Sequence, residues 1–241
     1  MVKRGSDIMK IELWSDFACP FCYIGKTKFE KALKRFPHKE QVEVVYKAYQ
    51  LNPNAPKVMK TDPVTAFAKG HRMNNKKAKE KFAMFVQAAK QVGLNYDYEN
   101  IQMTNSYDAH RIAKWARKFD KENEVTARFM KAYFEQGKNI ADHPTIIELI
   151  NEIGLDGIEA KQVLESKQFE DVVDGEINEG RDVGVRGVPF FVLNRKYGIS
   201  GAQAEEYFYE VIEQLWNEEH PEIEIKEFAT GATCDDEGCS I

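Results

Sequence analysis

The sequence predicts an α/β fold whose two strand-bearing halves are split by a large all-helical insertion. Three observations carry this. Residues 10–49 read as strand, helix, strand; residues 57–180 show apolar spacing of the helical kind and almost no strand pattern; residues 188–216 read as two short strands and a closing helix. The resulting divisions are a loose N-terminal tail over 1–9, a βαβ half over 10–56, the helical insertion over 57–180, the second half over 181–218 and a flexible C-terminal tail over 219–241.

Lys10-Ile11-Glu12-Leu13-Trp14-Ser15 alternates apolar and polar, the period of a short strand. Ser15-Asp16-Phe17-Ala18 turns the chain. A helix starts near Cys19-Pro20, because proline lacks only an N–H that a first turn leaves unpaired anyway. Phe21, Ile24, Phe29, Ala32, Leu33 and Phe36 give it an apolar face, and Phe36-Pro37 ends it. Val42, Val44, Val45, Tyr46, Ala48 and Tyr49 make a strand apolar on both faces, the pattern of a central parallel strand. Strand, helix and strand at this spacing form a βαβ unit.

Asn52-Pro53-Asn54-Ala55-Pro56 breaks that pattern. Phe82, Phe85, Val86 and Ala89 then fall at helical spacing, as do Ala109, Ile112, Ala113 and Ala116, and Val125, Phe129, Ala132 and Tyr133. Asp142 and Pro144 open a further helix that Gly154 can close, and Phe169, Val172, Val173 and Ile177 mark one more. Strand character returns at Val188-Pro189-Phe190-Phe191-Val192-Leu193. Asn194-Arg195-Lys196 turns the chain, and Tyr197-Gly198-Ile199-Ser200 answers as partner strand. Tyr207, Phe208, Val211, Ile212 and Leu215 line the last helix, Gln203 to Trp216.

A chain of 241 residues, 43% hydrophobic and 12% aromatic, can bury a sizeable core. Its formal charge of −5 argues against a nucleic-acid partner, which needs a basic face. Lys76-Lys77-Ala78-Lys79 reads as a solvated helix face. The basic start has no apolar run behind it, so no secretory signal is read, and Met9 is an alternative start. No stretch approaches the ~18–20 apolar residues of a membrane span. A cytoplasmic protein with no membrane partner is expected. Lasting structural disulfides are rare there, so four cysteines point to chemistry or metal.

The chemistry concentrates at Cys19-Pro20-Phe21-Cys22. A thiolate is the nucleophile in disulfide exchange, and an unperturbed thiol near pKa ~8.5 is mostly protonated at neutral pH. Cys19 falls at a helix N-terminus, where unpaired N–H groups and the helix dipole favour negative charge. Cys22 lies one turn deeper, close enough to close a tight disulfide. Cys19 therefore reads as the attacking thiol and Cys22 as the resolving one. Half of a zinc site is the alternative, but no second Cys-x-x-Cys or His-x₃-His pair accompanies it, and no metal is expected. Upstream of the third strand, Gly184-Val185-Arg186-Gly187-Val188-Pro189 places a proline at a strand start. A cis bond there would expose the Val188 backbone to an extended substrate; a trans proline opening an edge strand is the other reading.

Three segments carry a resemblance: residues 16–25 around the dithiol, Gly184 to Phe191, and Ile199-Ser200-Gly201-Ala202-Gln203. Over roughly residues 10–217 the chain resembles the DsbA-like branch of the thioredoxin superfamily, and within it the FrnE-like proteins. The resemblance implies a thioredoxin fold with the helical subdomain inserted between the βαβ and β-hairpin halves. It implies a cis Pro189 facing the dithiol, and a substrate lying against Pro189, Val188, Phe21 and Pro20. The implied activity is that of a protein-disulfide oxidoreductase or isomerase. No bound cofactor is implied; glutathione or another thiol serves as co-substrate, and the partner is a disulfide-containing protein or small-molecule thiol substrate. Asn105-Ser106-Tyr107-Asp108-Ala109-His110-Arg111 is similar to a stretch of these relatives, making Asn105 and His110 candidate site residues. One departure matters: strongly oxidising periplasmic members carry histidine where this chain has Phe21, which removes one source of thiolate stabilisation. Relatives that are glutathione-dependent isomerases of small aromatic or polyketide compounds usually keep a single serine or cysteine, so the retained pair favours disulfide chemistry. A metal- or partner-binding module on the same fold is the remaining alternative.

His110, placed on the first turn of the helical subdomain, either faces the dithiol or is structural. His38, His71, His143 and His220 show no partner pattern, and no glycine-rich phosphate loop follows a strand. Cys234 and Cys239 admit three readings: a second dithiol that exchanges with Cys19, a metal site with Asp235, Asp236 and Glu237, or a passive end with two thiols.

Overall fold

The structure, a computed structural model, describes residues 8–221 and the backbone strands 233–235 and 238–240. Its main sheet has the order β2-β1-β3-β4, built from β1 (Met9–Ser15), β2 (Val42–Ala48), β3 (Phe190–Leu193) and β4 (Tyr197–Ser200). β2 runs parallel to β1, with Leu13 opposite Tyr46; β3 runs antiparallel to β1, with Leu13 opposite Phe191, and β4 closes the hairpin. A parallel neighbour needs a crossover, supplied here by helix α1 (Pro20–Arg35).

The sheet is covered on both faces. Ile11 and Leu13 point toward α1 and the closing helix α9 (Glu205–Glu219), where Phe29, Phe191 and Phe208 meet in tilted and edge-on pairs with ring centres 4.7–5.7 Å apart. Trp14 and Val192 face the other way, against helix α8 (Glu170–Asp182). Trp14 Nε1 donates to the Glu176 carbonyl at 2.9 Å, and Gly180 admits the indole where a Cβ would come within 2.7 Å of it. Glu12, on this same face, is buried and ion-paired with Arg195 and Lys47, so the alternation marks two covered faces rather than one wet face.

The insertion between β2 and β3 holds α2 (Pro63–Gly70), α3 (Asn75–Lys90), α4 (Tyr107–Ala116), α5 (Glu122–Gln136), α6 (His143–Glu152), α7 (Gly157–Leu164) and α8. Asp142 caps α6 by accepting from the Thr145 N–H. The short α2 and α7 are too brief for apolar spacing to mark them, although each has an aspartate cap, Asp62 and Asp156. The insertion has its own core, and that core also takes in Phe17, Cys22 and Tyr23, placing the dithiol at the junction of the two halves. This is the thioredoxin fold with a helical insertion.

Three expectations are corrected. β2 is an edge strand, not a central one. Its apolar character reflects the insertion packed over it: Lys114 and Arg117 donate to the Tyr46 carbonyl, and the Ala48 N–H donates to Glu176. Met9, assigned to the loose tail, is the first residue of β1 and buried, because it packs under the α1–α9 layer. The boundary of the C-terminal tail, drawn at 219, moves by one residue, and part of the tail is paired. α9 includes Glu219, and Thr233–Asp235 pairs antiparallel with Gly238–Ser240 with Cys234 opposite Cys239. Strand pairing is made by backbone groups, so a scarcity of apolar residues did not forbid it. The rest of the tails, 1–7 and 222–232 included, lies outside the described residues. Among the described residues no helix is long and apolar enough to cross a membrane.

Candidate active site

β1 ends in a tight turn whose Cys19 N–H donates to the Asp16 carbonyl at 3.1 Å, and α1 begins at once. Cys19 is the N-cap, with extended backbone and no side-chain cap, and Pro20 occupies the first turn. The first turn holds no acidic residue, while Lys34 and Arg35 sit in the last, so the positive end of the helix dipole is left to the Cys19 sulfur. Across the cleft the Val188–Pro189 peptide is cis, and Cys19 Sγ donates to the Val188 carbonyl at 3.6 Å. Strand β3 starts only at Phe190, which leaves Val188 and Pro189 as the loop over the dithiol. Pro189 rests on Gly25 of α1. The expected substrate-side residues are thus gathered: Pro20 and Phe21 open α1, and Phe21 is exposed with its ring edge-on to Phe85 at 5.5 Å. Tyr96 ties this end down by donating to the Pro20 carbonyl at 2.7 Å.

Both cysteines are free thiols. Cys19 keeps a sliver of exposure, 4%, whereas Cys22 has none. Burial pushes the Cys22 thiol well up, as do the hydrogen bond and charge of Cys19; the Asp16 N–H and Ser15 hydroxyl act the other way. Such an arrangement holds Cys22 protonated until its attack is needed.

Behind the pair sits Asp16, which no local motif singles out as a site residue. It is buried and accepts from the N–H groups of Ala18 at 3.1 Å and Leu51 at 2.7 Å. Burial alone would raise its carboxyl; the interaction with His110, then the Leu51 N–H, outweighs that and holds it below the ordinary carboxylate range. An aspartate directly after a strand and three residues before a cysteine was the available signal. His110 is in α4, the third helix of the insertion rather than its first turn. It is buried behind the dithiol with its ring 4.7 Å from Phe17 and Nε2 3.7 Å from Asp16. Asn105 does not join the dithiol: its side chain donates to the carbonyls of Pro53 and Ala55 and accepts from Gln50 and the Tyr107 N–H, clamping the loop after β2 onto the start of α4. Cys234 and Cys239 are described only as a backbone pair. Among the described residues no cluster of three or more His, Cys, Asp or Glu side chains is placed to hold a metal.

Comparison with known proteins places this geometry. A probable DsbA oxidoreductase of Streptomyces coelicolor is 31% identical, with a TM-score of 0.80 over 97% of this chain and 99% of that one. YwbO of Bacillus subtilis (strain 168) is 27% identical over 84% of this chain and 94% of its own length. The cytosolic disulfide reductase DsbM of Pseudomonas aeruginosa, solved with GSH, shares the fold at 17% identity and a TM-score of 0.62, over 86% of this chain and 98% of that one. The family model of the DSBA-like thioredoxin domain matches residues 10–213, from the first strand well into the closing helix, and the chain belongs to that family.

Proposed function

We propose that the protein is a thiol–disulfide oxidoreductase of the FrnE-like branch, in which Cys19 attacks a disulfide and Cys22 resolves the mixed disulfide. The observation that supports this best is the asymmetry of the pair. Cys19 sits at the bare N-terminus of α1 against the Val188 carbonyl, and Cys22 is fully buried one turn behind. The Val188–Pro189 loop is the surface on which an extended substrate disulfide is laid beside Cys19, with Phe21 and Pro20 as its apolar floor. Disulfide-bearing proteins and small disulfides are the substrate class, glutathione or a similar thiol returns the pair to its reduced form, and the cytoplasm is the compartment. The precedent for that co-substrate is the fold neighbour solved with GSH. The backbone register of Cys234 and Cys239 supports a second dithiol exchanging with the first; deleting residues 231–241 should then slow turnover.

Insulin reduction coupled to a thiol pool tests the reading. Cys19→Ser abolishes turnover, and Cys22→Ser accumulates a substrate adduct on Cys19. An adduct on Cys22 instead, or turnover surviving Cys19→Ser, overturns it. A glutathione-dependent isomerase of small aromatic compounds would need only one of the two thiols, so loss of activity in both variants separates the classes.

A further inference from the structure

Resolving a mixed disulfide requires the Cys22 thiolate, and Cys22 is fully buried. A proton must therefore leave a place that solvent does not reach. We infer that Ser15 and His110 carry it away, through one water held in the small cavity that both residues line. This inference rests on the disulfide-exchange reading of the dithiol.

Among the described residues three buried side-chain atoms have no hydrogen-bond partner: Ser15 Oγ, His110 Nε2 and His220 Nε2. The last belongs to the end of α9, stacked on Trp216. The other two line one cavity of about 10 Å³, and their residues are 5% and 4% exposed. An unpaired buried polar atom is costly, so two on residues that line one small space call for a shared partner. One water needs roughly 10–15 Å³ and two to four polar neighbours, which this cavity offers.

Each step has a donor and an acceptor. The Ser15 hydroxyl makes no standing hydrogen bond to Cys22, but it acts on the buried thiol in the direction that favours its thiolate. As the Cys22 proton passes to Ser15 Oγ, Ser15 gives its own to the water, and the water gives one to His110 Nε2. The imidazolium so formed lies 3.7 Å from the Asp16 carboxylate. Asp16 is the electrostatic partner and not the base: its carboxylate already accepts the N–H groups of Ala18 and Leu51. The Cys22 thiolate then attacks Cys19 Sγ. The Cys19–Cys22 bond forms, the Cys19–substrate bond breaks, and the substrate sulfur leaves with the electron pair and is protonated by solvent at the cleft. The dithiol loses two electrons and the substrate disulfide gains them.

The other charged groups facing this space are committed elsewhere. Lys114 from α4 pairs with Glu122 from α5 at 2.8 Å, and Lys47 from β2 pairs with Glu179. Tyr46 and Tyr133 are pushed up by burial first and by nearby carboxylates second, so both stay neutral.

The test uses the full chain and a chromogenic aromatic disulfide in stopped flow. The first thiol released reports attack by Cys19, and the second reports resolution by Cys22. In Ser15→Ala and His110→Asn the second phase should fall about a hundredfold near neutrality, the low end of general acid–base contributions, with its pH profile moved upward. Ser15→Thr should recover it. The first phase should keep its pH profile. On the unmodified protein, rates in mixed light and heavy water should curve with deuterium fraction in the second phase alone, which keeps the inference testable should a variant not fold. Variants with an unaltered second phase and profile, or no solvent isotope effect on that phase, overturn the relay. Absence of the first phase in the unmodified protein overturns the disulfide-exchange reading itself.

Discussion

Gly25 lies so close to Pro189 that a Cβ at position 25 would stand 2.9 Å from Pro189 Cγ and 3.3 Å from the Ala202 Cβ. The bare helix surface is what lets the Val188–Pro189 loop sit down over the dithiol. Gly25→Ala gains up to ~1 kcal/mol of helix propensity and loses ~1–3 kcal/mol by overpacking. The melting temperature should therefore change little or fall modestly, while turnover drops severalfold because the Val188 carbonyl is lifted from Cys19. Activity equal to the parent's would mean that this loop does not hold substrate.

Stability of the reduced protein should fall as pH rises above ~8.5, the ordinary thiol value. The unfolded chain releases the Cys22 proton there, whereas the folded chain keeps it, because burial and then Cys19 push that thiol up. The folded state binds more protons, so stability is lost with increasing pH, by about 1.4 kcal/mol per unit for this one group. Urea melts at pH 7–9.5 measure the slope. Cys22→Ala should flatten it; an unchanged slope would assign the effect to other groups.

Phe21 supplies no charge or donor to the thiolates. The pair should be more reducing than ~−120 mV, the potential of the strong periplasmic oxidant that carries histidine at this place. Equilibration with glutathione buffers measures it, and Phe21→His should move the potential toward the oxidising side. Since Phe21 is exposed and touches Phe85 only edge-on, that change should leave the fold intact. A parent potential at or above ~−120 mV would contradict the role assigned to Phe21.

Lys114 is the buried hub between sheet edge and insertion, with Nζ 2.8 Å from Glu122, 2.7 Å from Glu176 and 2.8 Å from the Tyr46 carbonyl. Lys114→Met leaves two buried carboxylates short of a partner and should cost roughly 3–5 kcal/mol in chemical denaturation. Arg117 also reaches both carboxylates, so a loss below ~1 kcal/mol would show that Arg117 alone neutralises them.

Much of the fold was legible because it is written in local periodicity. The alternation of residues 10–15 marked β1, and apolar spacing marked α3, α4 and α5. Strand, turn and Cys19-Pro20-Phe21-Cys22 in succession placed one thiol at a helix start and the other a turn behind. Short helices escaped: α2 and α7 are too brief to show an apolar stripe, although Asp62 and Asp156 cap them.

By itself the sequence determined the strands and longer helices, the placement of the dithiol at the head of α1, and the order of the two halves around the insertion. Each depends on residues within a turn or two of one another, where side-chain type and spacing act directly. Tertiary structure alone decided that β2 is an edge strand sealed by Lys114, Arg117 and Glu176, that the Val188 carbonyl meets Cys19 across 169 residues of chain, and that His110 comes to rest against Asp16 behind Cys22. Those meetings follow from how the insertion packs on the sheet, and the same lone histidine or aspartate reads identically in sequence whether packing buries it beside a thiol or leaves it in water.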